Sequence, residues 1–199
     1  MKIYYQGSPG AYSHLAALEV YPQATILPCK TFDECFEKAE QDHKARIVIP
    51  ESNRITGNIG VEYLIFKHRL NIYAEHFQKV EHNLLALPGT KLKEIKDVFS
   101  HAQALSQCSN FIKKSKITEN VRADTAGSAD LISKNNDKSK AAIASTLSAK
   151  IYKLDILSSN IENEKGNTTR FLIMGKSVSQ PDFAKDKYIT SFLFKLKSK

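Results

Sequence analysis

Four polar side chains lie where an apolar strand passes into a helix, in the segment SHAQALSQC that follows the apolar run IKDVF. Ser100, His101, Gln103 and Gln107 supply a hydroxyl, an imidazole and two amides, which can hydrogen-bond and orient a polar ligand. Ser100 and Gln103 also have the S-x-x-Q spacing of a helix capping box, so part of this polarity has a structural explanation. Capping does not explain Gln107. It lies two turns beyond Ser100 on about the same face, so both side chains can look into one cleft.

Short polar residues and glycines follow most of the other strands that the sequence predicts. In open α/β sheets, ligands bind at the carboxyl ends of strands, where helix N-termini present free N–H groups. Each residue taken alone has a simpler explanation, such as a helix cap for Ser100, a turn for Asn53 or a solvated strand hydroxyl for Thr169. The sets are Gly7, Ser8 and Gly10 after YYQ; Ser52 to Gly57 after VIP; Thr125 to Gly127 after RAD; Ser145 after AIAS; and Gly166 to Thr169 before RFLIMG.

The elements that must position these residues alternate between strand and helix along nearly the whole chain. This alternation predicts an α/β fold with mostly parallel sheets. Thr31 and Glu34 form a T-x-x-E capping box at the start of the helix TFDECFEKAEQ. The strand ARIVIP is expected to end at Pro50, and GNIGVEYLIFKH is expected to be a helix with its glycines in the first turn.

The composition restricts the class of protein. Among 199 residues, 42% are hydrophobic and 25% charged, which is ordinary for a globular protein, and no apolar run is long enough to span a membrane. Three sparse cysteines, Cys29, Cys35 and Cys108, favour a reducing compartment, the cytoplasm, and lack zinc-site spacing. Half of the net charge of +8 lies in the last 24 residues. The chain lacks the interleaved aromatic and basic residues of nucleic-acid binders, so this charge is interpreted as a solvated basic tail, although a mild positive field would still favour a small anionic ligand.

Five segments together resemble one family. QGSPGAYSHLAA, SHAQALSQC, DTAGSA, AAIAS and NTTRF occur in the order and spacing of prephenate dehydratase, and the likeness runs from Met1 to about Gly175. The sequence between these segments is similar to the α-proteobacterial type of the family. The resemblance implies two α/β lobes around a cleft, like the type II periplasmic binding proteins: lobe 1 from about residues 1–75 and 159–178, lobe 2 from about 76–158. It also implies conversion of prephenate to phenylpyruvate, water and carbon dioxide in phenylalanine biosynthesis, without a metal or organic cofactor.

The same resemblance assigns roles to individual residues. The catalytic set it implies is Thr169, Asn53, Ser100 and Gln107. Arg170 is expected either to pair with a substrate carboxylate or to lock the lobes together from outside. Helix N-termini near Ala11, Ser100 and Thr125 are expected to add partial positive charge toward the substrate. The residues expected to contact substrate are Arg170, Phe171, His101, Thr125, Ala126, Ala11, Ser13 and Ser52.

One loop departs from the family pattern P-I-E-N-S-x-x-G. The sequence here is PESNRITG, in which Pro50, Asn53 and Gly57 match, whereas Ser52 stands at the glutamate position and Arg54 at the serine position. These departures favour an alternative, a catalytically weakened or inactive two-lobed module that binds a small carboxylate ligand. The intact catalytic set argues against that alternative.

The end of the chain departs as well. SVSQPDFAKDK is typical of a linker, and YITSFLFKL resembles the first strand of the regulatory ACT domain that many relatives carry. We therefore expect residues 179–199 to be a linker and a truncated ACT-like strand, and phenylalanine not to regulate this chain. A strand with an apolar edge needs a partner, so a homodimer is expected.

Overall fold

The computed structural model describes residues 1–177 and arranges them as two α/β units, each built on its own sheet. The strands are β1 (Lys2–Gln6), β2 (Thr25–Cys29), β3 (Arg46–Asn53), β4 (Gly57–Asn58), β5 (Asn71–Lys79), β6 (Asn83–Ala86), β7 (Asp97–His101), β8 (Thr118–Arg122), β9 (Lys140–Ala144), β10 (Asp155–Ser158) and β11 (Thr168–Gly175). The helices are α1 (Tyr12–Val20), α2 (Phe32–Gln41), α3 (Glu62–His68), α4 (Ala102–Gln107), α5 (Ser109–Ser115), α6 (Thr125–Lys134) and α7 (Thr146–Tyr152), with a 3-10 turn at Leu92–Glu94.

The first sheet has the strand order β2-β1-β3-β11-β5, with β4 beside β3, and the second has the order β10-β6-β9-β7-β8. This arrangement confirms the α/β prediction with two lobes. The prediction of mostly parallel sheets was wrong, since four strand pairs within residues 1–177 are parallel and five are antiparallel. The physical reason is the chain path: β11 returns from the second sheet and inserts antiparallel between β3 and β5, β6 runs antiparallel to β9 and β10, and β4 forms a hairpin with β3.

Each sheet has helices on both faces, and each face buries its own apolar cluster. In the first sheet, Ile47 and Ile49 of β3 point toward the cluster that includes Phe36 of α2, whereas Val48 points to the cluster beneath α1. This alternation is the period of two that a strand buried on both faces requires. The second sheet is covered in the same way by α4 and α5 on one face and by α6 and α7 on the other.

Three local predictions had different outcomes. The Thr31 hydroxyl accepts from the Glu34 N–H at 3.1 Å as expected, but the Glu34 carboxylate accepts from the Lys30 N–H instead of the Thr31 N–H. The predicted end of a strand at Pro50 was wrong, because Pro50 pairs with Phe171 of β11 and the strand continues to Asn53. The predicted first-turn glycines of α3 were also wrong: both precede the helix and have positive φ, which favours turns rather than helix.

The chain passes between the two sheets twice, once between β5 and β6 and once between β10 and β11. The expected first segment of lobe 1 ends near residue 75, but β5 continues past this residue and stays in the first sheet as far as Lys79. The predicted linker and ACT-like strand lie outside the described residues. Within residues 1–177, the helices are all too short or too polar to cross a lipid bilayer.

Candidate active site

Two of the expected catalytic residues face each other across neighbouring strands. β11 pairs antiparallel with β3 in a register that sets Thr169 opposite Asn53. The Asn53 amide Nδ2 donates to the Thr169 Oγ1 at 2.9 Å, and both side chains are less than one tenth exposed. Because the Thr169 oxygen accepts this hydrogen bond, its own hydrogen is left for a different acceptor.

The Asn53 side chain is held from its other end by the backbone that follows it. Its Oδ1 accepts from the Ile55 N–H at 3.0 Å and the Thr56 N–H at 3.2 Å, and from the Thr56 hydroxyl at 3.2 Å. This is the local turn geometry that asparagine favours. The loop PESNRITG thus fixes the amide that supports Thr169, in spite of its departures from the family pattern.

Gln107, at the end of α4 on the second sheet, is linked to Asn53 and Thr169 through Asn167. The Asn53 Nδ2 also donates to the Asn167 Oδ1 at 2.8 Å, and the Asn167 Nδ2 donates to the Gln107 Oε1 at 3.3 Å. The Gln107 Nε2 is buried and, within residues 1–177, has no hydrogen-bond acceptor. A buried donor without an acceptor is costly, so this amide NH2 group would gain most from a hydrogen bond to a bound polar ligand.

A buried histidine continues the same network. The His82 Nε2 lies 2.8 Å from the Gln107 Oε1, and its Nδ1 lies 3.1 Å from the Tyr12 hydroxyl. Burial lowers the pKa of His82, although the contact with Gln107 and the charge of Glu162 act in the opposite direction. Burial likewise raises the pKa of Tyr12 well above its ordinary value. Both groups are therefore neutral near pH 7.

Sequence reasoning missed His82, Asn167 and Tyr12. Asn167 and Tyr12 lie inside two of the segments that carry the family resemblance, but neither was singled out. His82 stands in VEHNLLAL, in the connection just before β6, where three polar residues separate Val80 from the apolar run of the strand. Polar residues directly before a buried apolar strand are the available signal, because buried polar side chains need partners.

Further hydrogen bonds join the two lobes around this site. At the exposed edge, the Gln103 Nε2 donates to the Thr56 hydroxyl at 2.6 Å. On the side of the glycine turn, the Ser145 and Ser148 hydroxyls donate to the Gly10 carbonyl at 2.6 and 3.0 Å. The Asn53, Thr169 and Gln107 group therefore lies where the lobes meet.

Ser100 does not take the predicted position. Its hydroxyl is fully buried and donates to the Ile143 carbonyl at 2.7 Å, tying β7 to β9. The predicted capping box was wrong, because β7 extends one residue further: His101 pairs with Arg122 of β8. The His101 Nδ1 therefore caps α4 by accepting from the Gln103 N–H at 3.3 Å. Ser100 is enclosed in the sheet and can influence the site only through the position of its strand.

This placement predicts a mild effect for Ser100→Ala. Loss of one buried hydrogen bond leaves the Ile143 carbonyl without its donor, and we expect unfolding free energy to fall by about 1–2 kcal/mol. We expect turnover to stay within about threefold of the wild type, since no reacting group is touched. Thermal unfolding and steady-state kinetics on the same preparation measure both quantities. If turnover instead fell about 100-fold at unchanged stability, this hydroxyl would regain a direct catalytic role.

Arg170 is engaged by two carboxylates. Its Nε donates to Glu75 at 2.7 Å and its Nη1 to Glu51 at 3.4 Å, while the Ser52 hydroxyl donates to Glu51 at 2.6 Å. Glu51 is the extra residue of a β-bulge, since Arg170 pairs with Ser52 and the next pair along joins Phe171 to Pro50. All three charged residues belong to the first sheet, so the described contacts of Arg170 neither lock the lobes together nor leave a free cation for substrate.

The other expected contact residues are placed as follows. Phe171 is 1% exposed and packs in the core beneath α1, so its described position gives no support to the prediction that it contacts substrate. Ala126 is fully buried in α6, and Ser13 is buried in α1. Ala11 and Thr125 stand at the starts of α1 and α6, and these two helix starts approach each other, since the Ser8 hydroxyl donates to Asp124 at 3.3 Å.

Comparison with known proteins points to one family. The family model for prephenate dehydratase matches residues 3–179. "Arogenate dehydratase/prephenate dehydratase 1, chloroplastic" of Arabidopsis thaliana is 40% identical over 197 residues, covering 98% of this chain and 50% of that protein. "Arogenate dehydratase 2" of Petunia hybrida is 38% identical, with the same coverage. The chain thus spans about half the length of the curated relatives it matches.

Solved structures agree with this fold. GqqA, described as a novel type of quorum-quenching acylase, is 34% identical with a TM-score of 0.84, and the match covers 90% of this chain and 66% of that one. A prephenate dehydratase from Arthrobacter aurescens in complex with L-Phe is 22% identical with a TM-score of 0.83, and the match covers 92% and 62%. At that identity the second likeness shows the fold alone.

Proposed function

The chain belongs to the prephenate dehydratase family, and on that premise we propose that it converts prephenate to phenylpyruvate, water and carbon dioxide. The observation that carries the proposal is the Thr169 hydroxyl, whose oxygen accepts from Asn53 and whose hydrogen has no acceptor among residues 1–177. A donor oriented in this way is what a departing hydroxide needs. The two carboxylates and the ring hydroxyl of prephenate are all hydrogen-bond acceptors, which match the free donors at the site.

The chemistry asks little of the protein beyond orientation. The ring carbon–oxygen bond breaks, the electron pair of the bond to the ring carboxylate moves into the ring, and carbon dioxide leaves as the ring becomes aromatic. The departing oxygen takes up one proton, which Thr169 donates or relays and regains from water. Threonine is a weak acid, but aromatisation supplies a large driving force, so a hydrogen bond that strengthens as charge develops suffices.

Neutral donors hold the substrate in this proposal. The free Nε2 of Gln107 would donate to a substrate oxygen, and the starts of α1 and α6 would add partial positive charge. Arg170 is already paired with Glu75 and Glu51, so its role here is to fix the strand that carries Thr169. Neutral donors oppose the loss of carboxylate charge in decarboxylation less than a strong cation would.

The two departures in the PESNRITG loop fit an active enzyme. Ser52 donates to Glu51, which in turn accepts from Arg170, so an acidic group is retained one residue away from the family position. The Arg54 guanidinium donates to the Gly166 carbonyl at 3.2 Å, bracing the segment that leads into Asn167 and Thr169. These contacts support catalysis over the alternative of a weakened binding module.

The test is turnover of two substrates by the full chain. Arogenate is added because the names of the relatives carry it. Prephenate at neutral pH is followed by the absorbance of phenylpyruvate in alkali, and arogenate by phenylalanine released. We expect prephenate turnover above the uncatalysed rate. Binding of prephenate by calorimetry without turnover of either substrate would instead support the binding module, and preference for arogenate would change the substrate but not the reaction.

The proposal also covers organisation and location. We propose that residues 1–178 form the catalytic region, in two lobes, and that the protein acts in the cytoplasm as a homodimer. Three free, buried cysteines support a reducing compartment. The dimer was predicted from YITSFLFKL, which lies outside the described residues, and light scattering of the full chain and of a chain ending at Ser179 is its test.

A further inference from the structure

We propose that Asn167 and His82 are positioning residues that fix which end of the Gln107 amide is free, and that the direction of this hydrogen-bond chain is set by two backbone N–H groups. The chain of side chains is Asn53, Asn167, Gln107, His82 and Tyr12. The inference rests on the proposed function for its kinetic consequences, but its structural content can be measured without turnover.

The direction begins at groups that can act only as donors. The Ile55 and Thr56 N–H groups both point at one end of the Asn53 amide, at 3.0 and 3.2 Å. An amide oxygen can accept from them, whereas an amide nitrogen there would face two donors. Oδ1 of Asn53 is therefore fixed toward its own backbone, and Nδ2 is fixed toward Asn167 and Thr169.

Each following amide then has one permitted orientation. Since the Asn53 Nδ2 donates at 2.8 Å, Asn167 must present Oδ1 to it, which turns the Asn167 Nδ2 toward Gln107. Gln107 must in turn present Oε1 to this donor. A reversed Gln107 amide would place its NH2 group against the Asn167 NH2 group, two donors with no acceptor between them. It would also leave the Gln107 oxygen buried without a donor.

The same rule reaches the histidine. The Gln107 Oε1 is an acceptor at 2.8 Å from the His82 Nε2, so Nε2 must carry a hydrogen. Because burial keeps His82 neutral, its Nδ1 then carries no hydrogen, and it lies 3.1 Å from the Tyr12 hydroxyl oxygen. The one Tyr12 hydrogen is donated to the Glu81 carbonyl at 2.7 Å, so the Tyr12 end of the chain favours a hydrogen on Nδ1 and opposes the direction set at Asn53. The position of the His82 proton decides which end sets the direction.

The functional consequence concerns Gln107. Two donors already bond to the Gln107 Oε1, so its amide NH2 group is the end that remains for substrate. An amide NH2 group can only donate. Without His82 or Asn167 the amide could turn over and present an acceptor to the substrate's oxygens, which would repel them. Both residues thus act through Gln107, and neither needs to touch the substrate.

The first test locates the proton on His82. Nitrogen-15 NMR of the imidazole rings at pH 8, with the His82 signals assigned by their absence in His82→Gln, reports which ring nitrogen carries hydrogen. We expect Nε2 to be protonated and Nδ1 to be bare in the wild-type protein. Hydrogen on Nδ1 alone would overturn the proposal, whether or not the protein turns over prephenate.

The second test reverses the chain. In Asn167→Asp, a carboxylate accepts from Asn53 and requires a donor from Gln107, so we expect the Gln107 amide to flip and the His82 proton to move to Nδ1. In Gln107→Glu, both oxygens accept, so the proton should stay on Nε2 while kcat falls about 100-fold. A His82 proton unmoved in a folded Asn167→Asp protein contradicts the proposal.

The third test separates positioning from structure. His82→Met removes the donor to Gln107, and we expect kcat to fall about tenfold, with His82→Gln restoring most of it because its amide can donate from a similar place. In a Gln107→Ala background the His82→Met change should have no further effect on kcat. Additive losses, or no difference between the Met and Gln variants, would mean that His82 is merely a core residue.

Discussion

Replacing Thr169 by alanine should lower kcat about 100- to 1,000-fold while KM changes little. The expected size is that of one lost hydrogen bond to charge developing in the transition state. The contact strengthens only as the hydroxyl leaves, so its loss should appear in kcat and kcat/KM together. Steady-state kinetics with prephenate provides the measurement, after circular dichroism has shown that the variant is folded.

Two matched variants make this result specific. Thr169→Val keeps the shape of the side chain and removes the hydroxyl, so we expect the same loss as for alanine. Thr169→Ser keeps the hydroxyl and the hydrogen bond from Asn53, so we expect recovery to within about tenfold of the wild type. If valine is as active as threonine, the hydroxyl is only a strand residue and the proposed mechanism fails.

The sequence predicts the fold because its patterns match local geometry. The alternation of strands and helices and the hydrophobic runs give the α/β class and nearly every element. It does not predict that more than half of the described strand pairs are antiparallel. That outcome depends on where β6 and β11 insert when the chain crosses between the sheets, and these are long-range events with no local signature.

The site shows the same limit at the level of side chains. The family resemblance groups Thr169, Asn53 and Gln107, and the structure places them in one network. Ser100 was misplaced because a S-x-x-Q spacing cannot reveal that the strand continues for one more residue. The pairing of Arg170 with two glutamates depends on strand register, which the sequence does not reveal.

The close approach of the lobes gives the second large effect, which concerns stability. Gly10 has φ of +95°, and a Cβ added there would lie 2.5 Å from the Ser148 Oγ and 2.9 Å from its Cα. Its carbonyl also accepts from the Ser145 and Ser148 hydroxyls of the other lobe. A methyl group cannot fit without moving the turn away from α7.

Gly10→Ala should therefore lower the unfolding free energy by about 3 kcal/mol, of which about 1 kcal/mol is backbone strain and the remainder overpacking. Gly60→Ala is the matched control, since its φ of +85° is similar but no described atom lies within 4 Å of the added Cβ. We expect it to cost about 1 kcal/mol, so that the difference between the two variants measures the contact alone. Urea denaturation of both proteins gives the comparison.

Because the turn carries the start of α1 and the contact with α7, we also expect KM for prephenate to rise several-fold in Gly10→Ala and not in Gly60→Ala. Equal losses of stability in the two variants would show that the lobes do not pack at Gly10 as tightly as described.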